Sequence, residues 1–288
     1  MATGYVLYNS KAGNINSKNE INLLQGGFQE ELRFIEISDI TSYTVFFNGI
    51  SSNDFIIIAG GDGTLNRFVN DTKGIEYKND VLYFPVGSGN DFARDLGYSK
   101  GQSPFTIKEY LKDLPTVNVN GNKRLFINGV GYGIDGYCCE MGDKLRKNSN
   151  KPVNYTSIAI KGLLFDYKPT RATVTVDGAS HTYENVWLAP IMNGSYYGGG
   201  MMPTPRQSRR GGTLSVMVFH CKSKLRALMV FPSIFKGEHV KHTDIVEVMA
   251  GKEVAVEFDR PTPLQIDGET ILGVTKCTAS TCKKEATI

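Results

Sequence analysis

The stretch at residues 54–71, "DFIIIAGGDGTLNRFVND", decides the fold. Five apolar residues, Phe55 to Ala59, stop abruptly at Gly60-Gly61-Asp62-Gly63-Thr64, and a helix-like pattern starts at once. An unbroken apolar run closed by glycines reads as a strand buried on both faces, as in parallel sheets covered by helices. Glycines after such a strand let backbone N–H groups close around phosphate at the start of the next helix. Asp62 is out of place in that picture, because a carboxylate repels the anion. Its presence points to a cation between the two, most simply Mg²⁺.

Working outward, the same rhythm fills the chain up to about residue 115. "GYVLYNS", "RFIEI" and "DVLYFPVGSGN" read as further strands, and "NEINLLQGGFQEEL", "ITSYTVFFNGI" and "DFARDLG" as helix-like segments between them. This is an α/β domain with a parallel sheet and flanking helices. Three small-residue loops then fall at strand ends, "NSKAG", "GGDGTLN" and "PVGSGND". Ligands of such sheets gather beyond the carboxyl ends of the strands. One glycine turn means little; three in this position are hard to assign to turn geometry alone.

From residue 116 the segments become short and alternating, as in "RATVTVDG", "HTYENVWLAPIMNG" and "EVAVEFDRP". That pattern predicts an antiparallel β-sandwich over residues 116–275, interrupted by a helical insertion near 137–167. The junction near Pro115 is short, which predicts a cleft between the two domains.

The chain of 288 residues carries a formal charge of only +3, too little for a nucleic-acid binder. No run approaches the roughly 20 apolar residues of a membrane span, and the first residues lack the pattern of a signal peptide. The five cysteines are odd in number and lack zinc spacing, so they read as reduced thiols of a cytoplasmic protein.

With those motifs in view, the sequence resembles the diacylglycerol kinase catalytic-domain family, which includes bacterial lipid kinases and sphingosine kinases. "GGDGTLN" is similar to the family's nucleotide loop. "GSGNDFAR" at residues 87–94 resembles its second motif with Ser88 for the usual Thr, and "NSKAG" its opening motif with Ser10 for Pro. "FINGVGYGID", "YYGGGMMPTP" and "IDGE" follow in order. The resemblance implies ATP in the cleft, Mg²⁺ as cofactor, and transfer of the γ-phosphoryl to a lipid hydroxyl at a membrane surface, with peripheral attachment to the inner membrane face. It implies that residues 276–288 return to the first domain (residues 1–115). It also implies ATP contacts from Asn9, Ser10, Lys11, Ala12, Gly13, Ser38, Gly60, Gly61, Asp62, Gly63, Thr64, Leu65, Asn66, Gly87 and Ser88. Asp62 and Asp91 become the metal candidates, and Arg94, Asp267 and Glu269 the catalytic ones. Either carboxylate of "IDGE" could be the base; two apart on an extended segment, they point the same way. On its own, without the resemblance, "DGE" reads first as a hairpin turn with Asp267-Gly268 supplying the bend.

The chain departs from the family pattern at Arg67 for Glu, at Asn118 for Asp, and at Arg209, Arg210, Gly211 and Ser215, where acidic residues around a Gly-Leu pair hold a structural Mg²⁺. That second metal site is expected to be absent. The alternatives are an NAD kinase-like enzyme, which shares "GGDGT", and a catalytically silent nucleotide- or lipid-binding relative. The exact lipid and the oligomeric state, a homodimer among the options, stay open.

Overall fold

The computed structural model describes residues 2–10, 24–148 and 155–282, and the chain divides into two compact units, Met1–Leu114 and Pro115–Ile288.

The first unit runs β1 (Thr3–Tyr8), β2 (Glu31–Glu36), α1 (Tyr43–Asn48), β3 (Phe55–Gly60), α2 (Asp62–Asp71), β4 (Asp80–Pro85), α3 (Asp91–Asp95), β5 (Phe105–Thr106) and α4 (Lys108–Leu111). Its sheet has the order β2-β1-β3-β4-β5, parallel through β4, with β5 antiparallel at the edge. Val6, Leu7, Ile56, Ile57 and Ile58 are fully buried, which is what unbroken apolar strands require. Each such side chain contributes about 1.5–3 kcal/mol of burial, so the strand ends rest on a rigid base. The helix expected across residues 19–32 does not form in its described part. Leu24–Gly27 is a single 3₁₀ turn, and Glu31 already begins β2. Gly26 and Gly27 side by side make a longer helix costly in backbone entropy.

The second unit contains β6 (Thr116–Val119), β7 (Asn122–Leu125), β8 (Gly129–Tyr132), α5 (Ile134–Asn148), α6 (Tyr155–Lys161) leading into a π-helical turn (Gly162–Asp166), β9 (Thr170–Val176), β10 (Ala179–Leu188), β11 (Ile191–Met192), β12 (Leu214–His220), α7 (Lys224–Val230), β13 (Val246–Gly251), β14 (Glu253–Ile266) and β15 (Glu269–Ser280). Every strand pair here is antiparallel. β14 pairs with β9 in its first part and with β8 at its end, so the sheet returns on itself through one long strand. The register of β14 against β15 shifts between Glu257 and Thr262, an irregularity of the kind that lets a strand bend between layers. Val130, Val174, Val216, Val256 and Leu264 meet in the core so enclosed.

The chain end departs from expectation. Lys276–Ser280 does not rejoin the first unit but completes β15, with Cys277 opposite Val119 and Ser280 opposite Thr116 of β6. Alternating residues with buried Cys277 and Ala279 fit a ladder position, and β6 offers the open edge. Residues 283–288 lie outside the described ones. No helix among the described residues is long and apolar enough to cross a membrane.

Candidate functional site

The strand order of the first unit reverses direction between β1 and β3, the point outside which open α/β sheets take their ligands. Asn9 and Ser10 follow β1 there, and the Ser10 amide donates to both oxygens of Glu36 at 3.1 and 3.0 Å. Ser38 lies exposed in the turn after β2. Lys11, Ala12 and Gly13 lie outside the described residues.

The loops after β3 and β4 touch. The Val86 amide donates to the Gly60 carbonyl at 3.1 Å, and a Cβ on Gly87 would fall 2.3 Å from the Gly61 Cα. A Cβ on Gly60 would meet the Thr64 side chain at 2.5 Å, whereas one on Gly63 would meet nothing within 4 Å. Gly61 and Gly87 are thus glycines because the loops pack backbone to backbone, and Gly60 leaves room for the Thr64 side chain, whereas Gly63 faces open space. Gly61 is also the N-cap of α2 and carries no side chain to occupy the first-turn amides. Asn90 closes the second loop in the left-handed region at φ 54°, its Oδ1 accepting from the Gly87 amide and its Nδ2 donating to the Gly87 carbonyl. Asn tolerates that conformation better than most residues. Ser88 is exposed beside it.

Asp62 has a duty that the sequence did not reveal. Its carboxylate accepts the amides of Asp91 at 3.0 Å and Phe92 at 2.9 Å, capping α3 from the neighbouring loop. A carboxylate at a helix start is favoured by the N–H groups and the dipole. Asp91 is buried nearby, and burial together with Asp62 and Asp91 pushes the Tyr83 phenol well above its ordinary value, so it stays neutral. Leu65 and Asn66 point inward: Leu65 is in the core, and Asn66 takes the Asn70 amide. The buried Thr64 hydroxyl has no hydrogen-bond partner among the described residues. Arg94 is exposed on α3, one turn past Asn90. Among the described residues no group of three or more His, Cys, Asp or Glu is arranged for a metal. Mg²⁺ commonly takes one or two carboxylates and completes its shell with water and phosphate oxygens. A carboxylate oxygen can accept more than one bond, so Asp62 beside Asp91 fits such a cation.

The second cluster surrounds the β14–β15 hairpin. Asp267 and Gly268 form its two-residue turn with φ 45° and 94°, the mirror-image turn that Asp-Gly favours. The two carboxylates therefore do not share one strand face, since Asp267 is in the turn and not in extended backbone. Its side chain folds back to accept the amides of Ile127 at 2.5 Å, Asn128 at 2.8 Å and Gly129 at 3.0 Å. Glu269, with its carboxylate half exposed, pairs with Arg124 at 2.5 Å. Behind the turn, the Gly268 amide donates to Gln265 Oε1 at 2.6 Å, and Gln265 Nε2 donates to Asp135 Oδ2 at 2.8 Å. Burial pushes the Asp135 carboxyl up to about 6, against the opposing hydrogen bonds of Gln265 and Tyr197. A Cβ on Gly131 would fall 1.5 Å from Asp135 Oδ2, so that glycine makes room for the acid.

Arg124, Asp135 and Gln265 were missed from sequence. Asp135 is the last letter of "FINGVGYGID", but nothing in a single sequence says that it reaches Gln265. At the departures, Arg209 donates to the Ile127 carbonyl and to Asn128 Oδ1, each at 2.6 Å. A guanidinium thus bonds the segment that holds Asp267. Buried Gln207 accepts from Ser215 Oγ at 2.6 Å and donates to the Thr213 carbonyl at 2.7 Å. Arg67 pairs with Asp71 at 3.3 Å. Nothing in the structure explains Asn118, whose Oδ1 is buried without a hydrogen-bond partner among the described residues.

These features define a parallel-sheet α/β unit with two touching glycine loops at its strand ends, joined in one chain to a closed antiparallel β unit. The model of the diacylglycerol kinase catalytic domain matches residues 3–117, and that of the YegS C-terminal NAD kinase beta sandwich-like domain matches residues 128–282. A diacylglycerol kinase of Mycobacterium tuberculosis is 26% identical over 211 residues, covering 71% of this chain and 67% of its own. One of Bacillus subtilis is 28% identical over 229 residues, covering 75% and 71%. A crystal structure of a diacylglycerol kinase from Bacillus anthracis superposes with a TM-score of 0.61 over 98% of this chain and 94% of its own, at 20% identity, a likeness of fold. The chain belongs to the diacylglycerol kinase catalytic-domain family of lipid kinases, as its motifs led us to expect.

Proposed function

We propose that the protein is an ATP-dependent lipid kinase that moves the γ-phosphoryl of ATP to the hydroxyl of diacylglycerol or a related long-chain alcohol at a membrane surface. The observation that carries this reading is the pair of touching glycine loops after β3 and β4, in a chain of this family. Relatives named diacylglycerol kinase support the acceptor class. The first turn of α2, capped by a bare glycine, gives N–H groups and a helix dipole to the phosphates. Arg94 adds a charge-assisted contact to a phosphate oxygen. Asp62 and Asp91 would hold Mg²⁺, directly or through water, and its charge would neutralise the phosphates. Phosphoryl transfer depends mostly on such positioning and neutralisation.

The acceptor oxygen bonds to the γ-phosphorus, the bond to the bridging oxygen of ADP breaks, and the hydroxyl proton leaves to a base. Glu269 is our choice for that base, because Asp267 already spends its oxygens on three amides. Asp267 then holds the hairpin, and Arg124 orients Glu269. Incubation with γ-labelled ATP, Mg²⁺ and a panel of lipid alcohols plus NAD tests the reading. Label in a lipid is expected; label in NAD alone would replace this reading with that of an NAD kinase.

A further inference from the structure

The segments that cover one side of the second unit leave an apolar surface uncovered. In α7, Ala227 and Val230 are buried against Leu163, Phe231 and Ile234. The opposite stripe of the same helix is also apolar: Leu225 and Met229, four apart, are 67% and 66% exposed. The π-helical turn that packs against α7 repeats the pattern, with Leu163 buried and Phe165 71% exposed. Lys224 Nζ donates to the Leu164 carbonyl at 3.2 Å, which joins the start of α7 to that turn in one surface. A helix apolar on two faces leaves one of them for a partner, and clustered large apolar side chains on a surface mark an interaction site.

Charge identifies the partner. Between Lys222 and Asp244 the chain has five lysines and arginines against two carboxylates. Both carboxylates are engaged by cations of the same segment, Asp244 by Arg226 and Glu238 by Lys241. Lys222, Lys224 and Lys236 are exposed and carry the excess positive charge of the segment that contains α7. Exposed apolar side chains flanked by lysines in one segment fit the interface of an anionic bilayer, where the tips enter the acyl boundary and the ammonium groups meet headgroup phosphates.

We propose that Phe165, Leu225 and Met229, with Lys222 and Lys236, form a docking face for anionic lipid membranes; this rests on the lipid-kinase reading. The test is cosedimentation with phosphatidylcholine vesicles, with and without phosphatidylglycerol, both lacking diacylglycerol. Activity on a short-chain diacylglycerol dispersed as monomers is measured in parallel. The full chain should bind the anionic vesicles preferentially, and added salt should weaken that binding. A Phe165→Gln, Leu225→Gln, Met229→Gln variant should lose roughly tenfold or more in vesicle affinity, since three inserted side chains are removed, while activity on the monomeric lipid is unchanged. Should that variant not fold, Lys222→Glu with Lys236→Glu, both exposed, should give the same loss by charge alone. Binding equal to wild type in a folded variant would overturn the proposal. So would a wild-type dimer, seen by sedimentation velocity, that the apolar substitutions convert to monomer, because the face would then belong to a second copy. Vesicle binding without phosphoryl transfer would instead retire the kinase reading and leave the docking face standing.

Discussion

Asp62 caps α3 in the structure, a duty separate from the cation role we propose for it. Its place between glycines suggested a cation, and the geometry adds a cap on α3 through the Asp91 and Phe92 amides. Asp62→Asn keeps one oxygen acceptor but turns an amide donor toward one of those N–H groups. The cost of a buried donor left unmet is about 1–3 kcal/mol, so urea denaturation should show a loss of that size. Mg-ATP binding should fall as well, measured under conditions where the variant is fully folded. Unchanged ATP binding would leave Asp62 as a cap alone. Asp135 offers a pH test. Its carboxyl is raised from 3.8 to about 6 in the folded protein, so the stability it contributes is complete below the unfolded value and is lost as pH rises through about 6. Asp135→Asn keeps an oxygen for Gln265 and cannot ionise. It should match wild type near pH 4 and exceed it near pH 8 by up to about 3 kcal/mol, since each tenfold change in proton affinity is worth about 1.4 kcal/mol. Denaturation curves parallel at both pH values would show that the acid does not titrate as its burial implies.

Among the elements, the β14–β15 hairpin holds its two carboxylates differently, and our proposal gives Asp267 the structural part and Glu269 the chemical one. Asp267→Ala strips the acceptor from three amides, which should cost about 1–3 kcal/mol or more and lower activity through the displaced turn. Glu269→Gln removes only an exposed ion pair, worth about 0–1 kcal/mol. It should therefore lower kcat with little change in melting temperature or ATP affinity. The reverse split would move the base to Asp267. This division was not legible in "IDGE", because alternation along a strand predicts one face, whereas the Asp-Gly turn places Asp267 outside the extended backbone. The strands of the first unit were legible, since buried parallel strands are nearly continuous apolar runs. The segment around Gly26 and Gly27 was not, because glycine pairs override apolar spacing. Lys276 to Ser280 was misplaced by reliance on the family pattern, although its alternation of buried Cys277 and Ala279 already fits a ladder. Long-range partners such as Gln265 with Asp135, 130 positions apart, leave no trace in one sequence.

On the scale of the whole molecule, the chain combines an α/β unit with paired glycine loops, a closed β unit with an acidic hairpin, and an apolar and basic face on the second. The family is that of lipid kinases, and the proposed transfer assigns one task to each of these parts. The departures near residue 209 do not dismantle the second unit. Arg209 and Gln207 bond the surrounding segments with their own side chains, so the hairpin stays held. The most direct test of the account is γ-phosphoryl transfer from labelled ATP to diacylglycerol by wild type and Glu269→Gln, with the product extracted into organic solvent. Labelled lipid is expected from wild type, with a fall of about 10²–10⁴-fold in the variant, the usual cost of losing a general base. No labelled lipid from a folded wild-type protein, or equal transfer by both proteins, would contradict it.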